Sequence, residues 1–142
     1  MNEKNNLTKE EKLKKAMTNI LSNFITAAIT FTLVMILTNC FKLAQVQGNS
    51  MNPTLQNGDF IIVSAITKPA DQDILILDVH DTDIDTDSII KRYYEEKSTN
   101  NAVWVEGDNK EHSLDSRKLG TFEEERIIGV AIFDLSQFKK LR

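Results

Sequence analysis

Apolar residues follow two different patterns along the chain. Between residues 20 and 37, an aliphatic and aromatic run is interrupted only by Ser22, Asn23, Thr26, Thr30 and Thr32. Extended to residue 41, the run is long enough to cross about 30 Å of hydrocarbon, and its hydroxyl groups can bond their own helix carbonyls. We therefore expect a transmembrane helix over residues 20–41. A buried amphipathic helix is the alternative, but residues 27–37 show little of the polar face that it requires.

The pattern changes beyond residue 43. Short β-branched runs, separated by turn residues, occupy positions 60–63, 74–77, 88–92, 103–105 and 127–133. Such runs are typical of strands. The sequence therefore predicts a mostly β fold, in which one N-terminal transmembrane helix precedes a small β domain over residues 44–142.

Charges beside the apolar run predict its orientation. Only Lys42 follows the run closely, whereas five lysines precede it: Lys4, Lys9, Lys12, Lys14 and Lys15. Lysines concentrate on the cytoplasmic side of membrane helices, so residues 1–19 should be cytoplasmic and the β domain extracytoplasmic, in a single-pass cell-membrane protein. A cleaved signal peptide is a second possibility, because residues 37–40 resemble a lipoprotein cleavage site. Asn39, just before the single cysteine Cys40, is not the small residue that such processing uses.

Composition narrows the classes of partner. The 142 residues carry a formal net charge of −4, which argues against nucleic acid. His80 and His112 are too isolated in sequence to suggest a metal or triad site. Four alternating aspartates resemble the start of a calcium loop, but Thr86 and Arg92 replace its glycine and its bidentate glutamate. We expect a solvated acidic hairpin, with no metal and no cofactor, at Asp81, Asp83, Asp85 and Asp87.

A serine and a lysine are the candidate catalytic groups. Ser50 lies in a turn between Gly48 and Pro53, and Lys91 lies in a predicted strand. A lysine kept neutral by desolvation can activate a serine without a histidine. Alternation along the strand would bury Lys91 and turn Arg92 to the opposite face, where it would be structural. Ser88 and Lys91 also have serine-x-x-lysine spacing, but that signature works on a helix, so we treat it as coincidence.

Three blocks in this order resemble the boxes of type I signal peptidases. They are Gln47-Gly48-Asn49-Ser50-Met51-Asn52-Pro53-Thr54-Leu55 with Gly58-Asp59, then Ile89-Ile90-Lys91-Arg92, then Gly107-Asp108-Asn109 with Ser113-Leu114-Asp115-Ser116-Arg117 and Gly120. The resemblance implies a membrane-bound serine endopeptidase that removes signal peptides from exported precursors. Ser50 would be the nucleophile and Lys91 the general base, oriented by Ser113. Gly48 stands where some members carry a hydroxyl for the oxyanion hole, so main-chain donors, chiefly the Ser50 N–H, would serve here.

The resemblance also implies how substrate binds. Residues before the cut, small at the first and third positions as in Ala-X-Ala, would add a strand between two segments of the chain. These segments are Gln45-Val46-Gln47 and Ser88-Ile89-Ile90. Asp115 and Arg117, two apart and on one face if extended, would form an ion pair that braces their strand.

Some residues depart from the family pattern. Tyr93-Tyr94-Glu95-Glu96-Lys97 replaces a run that usually contains glycine and proline, and Ala70-Asp71-Gln72-Asp73 lacks a common glycine. The large cap domain of some members does not fit in this length. These departures bear on substrate range, and they leave open a narrowly dedicated or non-proteolytic assembly factor for surface fibres or pili. The known non-proteolytic examples lack the serine–lysine pair that this chain has.

Overall fold

The computed structural model describes residues 8–80, 82 and 84–142, which form one long helix and one β domain. The helix, α1, spans Lys9–Cys40 and is 32 residues long. Thr8 and Glu11 cap its start, because the Thr8 N–H donates to Glu11 Oε2 and the Glu11 N–H donates to Thr8 Oγ1. Four threonine hydroxyls within the predicted membrane segment donate hydrogen bonds to helix carbonyls one turn back, so they need no partner outside the helix. They belong to Thr26, Thr30, Thr32 and Thr38.

None of the residues of α1 is buried, so the alternative of a buried amphipathic helix is wrong. The mean hydropathy of its most apolar window is 2.1, and by length and composition α1 can cross a membrane. A signal sequence near an N-terminus would meet the same criterion.

The boundaries of α1 differ from those of the predicted membrane segment. The helix begins at Lys9 because the capped, lysine-rich residues before the apolar run are themselves good helix formers. It ends at Cys40, and Phe41, which we predicted as its last residue, already pairs with Ser64 in a strand. Lys4 lies outside the described residues.

Among its described residues, the β domain has nine strands, a short α-helix and three 3₁₀ turns, as predicted for a mostly β fold. The strands are β1 Phe41–Gln45, β2 Phe60–Ser64, β3 Ile74–Asp78, β4 Ser88–Tyr93, β5 Ala102–Val103, β6 Val105–Glu106, β7 Phe122–Glu123, β8 Ile127–Asp134 and β9 Lys139–Lys140, and α2 spans Ser116–Leu119. All of the pairings are antiparallel. The main sheet has the order β1-β2-β8-β3-β4-β6, with β9 beside β8, and β5 pairs with β7 separately.

Strand β3 passes through the core with both faces covered. Ile74 and Ile76 contribute to one apolar cluster, and Leu75 and Leu77 contribute to the other. Since successive side chains of a strand point to opposite faces, a run of four buried aliphatic residues means that the sheet is covered on both sides. The antiparallel partner β4 therefore also carries one well-buried face.

The run at residues 103–105 is not one strand. Val103 belongs to β5 and Val105 to β6, and these strands lie in different sheets on either side of Trp104. We did not predict β1, which follows an apolar helix without a turn signal, nor the two-residue strands β7 and β9. Two residues are too few to show a periodic pattern.

Candidate active site

The turn that carries Ser50 is anchored in the core by its neighbours. Met51 and Leu55 are buried in the first apolar cluster, and the base of the loop between β1 and β2 is closed by backbone bonds. Val46 N donates to the Asp59 carbonyl, and Gly58 N donates to the Val46 carbonyl, both at 2.8 Å. Packing of Met51 thus fixes the position of the half-buried Ser50 beside it.

Lys91 reaches the serine from β4. Its side chain is 4% exposed and lies on the strand face that also buries Ile89. Lys91 Nζ donates to Ser50 Oγ at 2.9 Å and to the Ile90 carbonyl at 3.0 Å. The alternation of the strand therefore brings the predicted base into hydrogen-bond contact with the predicted nucleophile.

Burial changes the acid–base behaviour of this lysine. It lowers the pKa of Lys91 from 10.5 to about 8, opposed by the negative charge of Asp115 and assisted by the positive charge of Arg117. Desolvation disfavours the charged ammonium, so a substantial fraction of neutral amine exists near physiological pH. A neutral amine beside a hydroxyl can accept its proton.

The third sequence block holds the serine turn from behind. Asn109 N donates to the Ser50 carbonyl at 2.9 Å, and Asn109 Nδ2 donates to the Asn49 carbonyl at 3.1 Å. Gly107 approaches so closely that a Cβ there would lie 2.6 Å from the Ser50 carbonyl oxygen and 2.2 Å from Ser113 Oγ. Only glycine fits at position 107 without displacing the turn.

One carboxylate links all three blocks. Asp108 accepts two hydrogen bonds from Arg92, at 2.7 Å and 2.6 Å, and a third from the Thr54 hydroxyl. Burial alone would raise the pKa of Asp108, but the bonds from Arg92 and Thr54 outweigh it and lower this pKa. Through Asp108 and Thr54, Arg92 thus links β4 to the third block and to the serine turn.

Asp115 and Arg117 form the predicted ion pair, but not in a strand. Asp115 caps the short helix α2 and accepts a hydrogen bond from the Arg117 N–H. Its fully buried carboxylate also accepts hydrogen bonds from the Arg117 guanidinium and from the Gly107 N–H, the latter at 2.8 Å. Burial would raise the pKa of Asp115, but these bonds hold it well below its usual range. The predicted extended geometry was wrong, because an N-cap brings residues two apart together.

A cleft of about 480 Å³ opens beside the pair. The residues lining it on either side of Ser50 and Lys91 include Gln45, Val46, Gln47, Gly48, Ser88, Ile89 and Ile90. The two segments that we predicted to flank a substrate therefore line the same cleft as the serine and the lysine.

A family model described as Peptidase S24-like matches residues 14–132. The chain belongs to the Peptidase S24-like family. This family includes serine–lysine proteases of the LexA and signal peptidase I types, so the S24-like fold and activity are those of a serine peptidase. Membership does not distinguish among these types, and assignment to signal peptidases stays a prediction. A search of curated proteins finds no significant match.

Of the two supporting residues that we predicted in the S24-like domain, Ser113 differs from expectation and Gly48 does not. Ser113 Oγ is buried next to Gly107 and makes no hydrogen bond with Lys91, so the predicted bond is not formed here. The Ser113 side chain instead helps to lower the pKa of Asp115. Gly48, with a φ of +82°, gives its N–H to Asn57 Oδ1 at 2.9 Å. The Ser50 N–H makes no hydrogen bond with any described residue and stays available to an oxyanion.

Sequence reasoning missed part of the S24-like site. The residues lining the cleft extend to Asp85, Thr86 and Asp87, which we had predicted only as part of a solvated hairpin. That hairpin is formed by β3 and β4. Asp81 and Asp83 lie outside the described residues, and within the remainder no group of His, Cys, Asp and Glu could hold a metal ion.

The unusual run after Arg92 makes contacts of its own. Lys97 is the last residue of a short 3₁₀ turn, Glu95–Lys97. Its Nζ donates to Glu106 Oε1 at 2.7 Å and lies 4.7 Å from the centre of the Tyr94 ring. Hydrogen bonds and ring contacts thus fix this segment without glycine or proline.

Proposed function

We propose that this chain is a membrane-bound serine endopeptidase that removes signal peptides from exported precursors. Ser50 is the nucleophile and Lys91 is the general base. The observation that carries the proposal is the 2.9 Å contact between Lys91 Nζ and Ser50 Oγ beside a cleft, with the lysine desolvated. This proposal goes beyond family membership, which supports serine peptidase activity alone.

Acylation begins with proton transfer. The neutral Lys91 amine takes the Ser50 proton as Oγ attacks the scissile carbonyl carbon. The resulting tetrahedral oxyanion accepts a hydrogen bond from the Ser50 N–H, which has no other partner among the described residues. When the C–N bond breaks, the Lys91 ammonium gives its proton to the leaving amine, and an ester to Ser50 is left.

Deacylation repeats these roles with water as the nucleophile. Water attacks the ester carbonyl carbon while the Lys91 amine takes a proton from it. When the bond to Ser50 Oγ breaks, Lys91 gives this proton to Oγ. Asp115 and Arg117 do not touch the reacting atoms in this scheme. They hold the Gly107 segment, which in turn supports the serine turn.

Residues before the cut occupy the cleft as an added strand. The segment 45–47 lies on one side and 88–90 on the other, and both are exposed at the cleft in part. Small side chains at the first and third positions before the cut fit a strand held closely between two walls. Exported precursors and the lipid bilayer are thus the proposed partners.

We expect α1 to cross the cell membrane once, with the N-terminus in the cytoplasm. The lysines before the apolar run and the 32-residue helix support this orientation. An epitope tag is first added to the N-terminus. Protease added to intact cells or protoplasts should then degrade the β domain and leave the tag intact. Complete protection of the β domain, with degradation only after lysis, would contradict the proposed orientation.

The direct test of function uses the full chain in detergent. Incubated with a range of exported precursors, it should release fragments whose new N-termini follow an Ala-X-Ala-like sequence. A non-proteolytic assembly factor would bind precursors and leave them intact. A dedicated peptidase would cut very few of them, each at a single position.

Cleavage should become faster as pH rises. The neutral form of Lys91 is the active one, and its pKa is about 8. About a tenth of the enzyme is therefore competent at pH 7 and about nine tenths at pH 9, so kcat/KM should rise roughly tenfold. The measurement is kcat/KM on one peptide from pH 6 to 9.5, with thermal unfolding followed at each pH as a control. A profile that is flat or falls over this range would rule out a lysine base.

A further inference from the structure

The cleft beside Ser50 carries an uneven distribution of charge. Lys91 is the one cation among the residues that line it, and it lies at the nucleophile, where burial lowers its pKa to about 8. Asp85 and Asp87 are the two acidic residues of the lining, and both are exposed. The remainder of the wall is polar on its outer part, with Gln45, Gln47, Thr86 and Ser88 all exposed.

The two carboxylates have no neutralising partner within the part of the chain that the structure describes. Neither Asp85 nor Asp87 forms an ion pair or a side-chain hydrogen bond with a described residue. The backbone of Asp87 is nevertheless held in place, because its carbonyl accepts a hydrogen bond from Val79 N at 2.9 Å, which continues the pairing of β3 with β4. The negative charge is therefore built into the wall of the cleft.

Chain geometry sets the distance between this charge and the reacting bond. A strand rises about 3.3 Å per residue, so Asp87, directly before β4, lies about four residues of chain before Lys91. Asp85 lies two residues further back in a turn, in which Thr86 N donates to the Ile84 carbonyl at 2.8 Å. A peptide bound as a strand in the same cleft has a similar rise. The substrate side chains near these carboxylates are therefore those four to six positions from the scissile bond.

We propose that the cleft selects precursors with a lysine or arginine four to six positions before the cut, and that Asp85 and Asp87 determine this specificity. The inference rests on the proposed function, in which residues before the cut occupy the cleft. An apolar side chain at these positions would meet two carboxylates and exposed amides instead of an apolar surface. The substrates are then a narrow class of basic precursors.

Peptide cleavage by the full chain in a non-ionic detergent tests the preference. Each peptide has alanine at the first and third positions before the cut, and lysine, glutamine or glutamate at the fifth. Exposed ion pairs typically change binding by about two- to fivefold each. We expect kcat/KM to be about tenfold higher for lysine than for glutamine, lower still for glutamate, and this preference to shrink in 0.5 M salt.

Variants identify the residues responsible. In Asp85→Asn/Asp87→Asn, the lysine-to-glutamine ratio should fall to about one while cleavage of the glutamine peptide is retained. Glu111→Gln, which removes an exposed carboxylate outside the cleft, should keep the ratio of the parent. A ratio that is unchanged in the double variant would overturn the inference.

Two further measurements separate this inference from its premise. Lysine placed five positions after the cut should give no advantage, and an equal advantage there would show general charge attraction and overturn the proposed specificity. Binding of the same peptides to Ser50→Ala, followed by fluorescence anisotropy, tests the preference without chemistry. If the parent cuts no peptide, the proposed function fails, and the binding ratios still decide whether the cleft prefers a basic residue.

Discussion

Ser50→Ala is expected to abolish precursor cleavage, with a loss of roughly 10⁴-fold or more in kcat, because the attacking oxygen is removed. The fold should be unaffected, since Met51 and Leu55 anchor the turn independently of the serine side chain. Appearance of the mature product on gels, together with thermal unfolding of the same samples, measures both effects. Cleavage that survives this substitution would disprove the serine mechanism.

The base should be equally intolerant of change. Lys91→Ala removes the proton acceptor, and Lys91→Arg replaces it with a guanidinium that stays protonated at any accessible pH. Both variants should be inactive, whereas Lys68→Arg, at an exposed lysine outside the cleft, should keep parental activity. Activity should also survive chelators and reagents that modify cysteine. Loss of cleavage in a chelator would indicate a metal mechanism instead.

Asp115→Ala should lower the free energy of unfolding by on the order of 3 kcal/mol. The substitution leaves the Gly107 N–H without its acceptor and deprives Arg117 of its main partner. Arg117→Ala should also destabilise, because a buried carboxylate then lacks its counter-ion. Chemical denaturation of the full chain in detergent gives both values, and Glu111→Gln is the matched exposed control.

The effect of Asp115 should depend on pH in one direction. Its pKa is depressed in the folded state, so its contribution is complete above the ordinary value of 3.8 and is lost as pH falls further. The stability difference between parent and Asp115→Ala should therefore narrow in acid. A variant that unfolds like the parent at pH 7 but cuts nothing would show a chemical role for Asp115 instead of a structural one.

Local patterns were sufficient for much of the β domain. The runs at β2, β3, β4 and β8 lie within one or two residues of the observed strands, because each is a β-branched run bounded by turn residues. The same alternation predicted that Lys91 would be buried and Arg92 would face away from it. Both features depend on neighbouring residues in sequence, so they can be read without knowing the sheet order.

Long-range contacts could not be predicted in this way. The side chains of Thr54, Arg92 and Asp108 are in contact although they are far apart in sequence. The local sequence around each residue does not predict which partner it contacts. The helical turn after Asp115 was missed because four residues are too few for a periodic pattern. The aspartates at the end of the cleft were read as solvated charges, since their sequence alone does not show what lies opposite.

The position of β8 has a consequence for biosynthesis. Ser50 follows β1 and Lys91 lies in β4, but β8 lies between β2 and β3 in the sheet and joins the two halves. A chain made from its N-terminus has both reactive residues long before it has residues 127–134, and so cannot yet assemble the sheet that holds them together. We therefore expect a nascent chain to have no peptidase activity until residues 127–134 have been made and have joined the sheet.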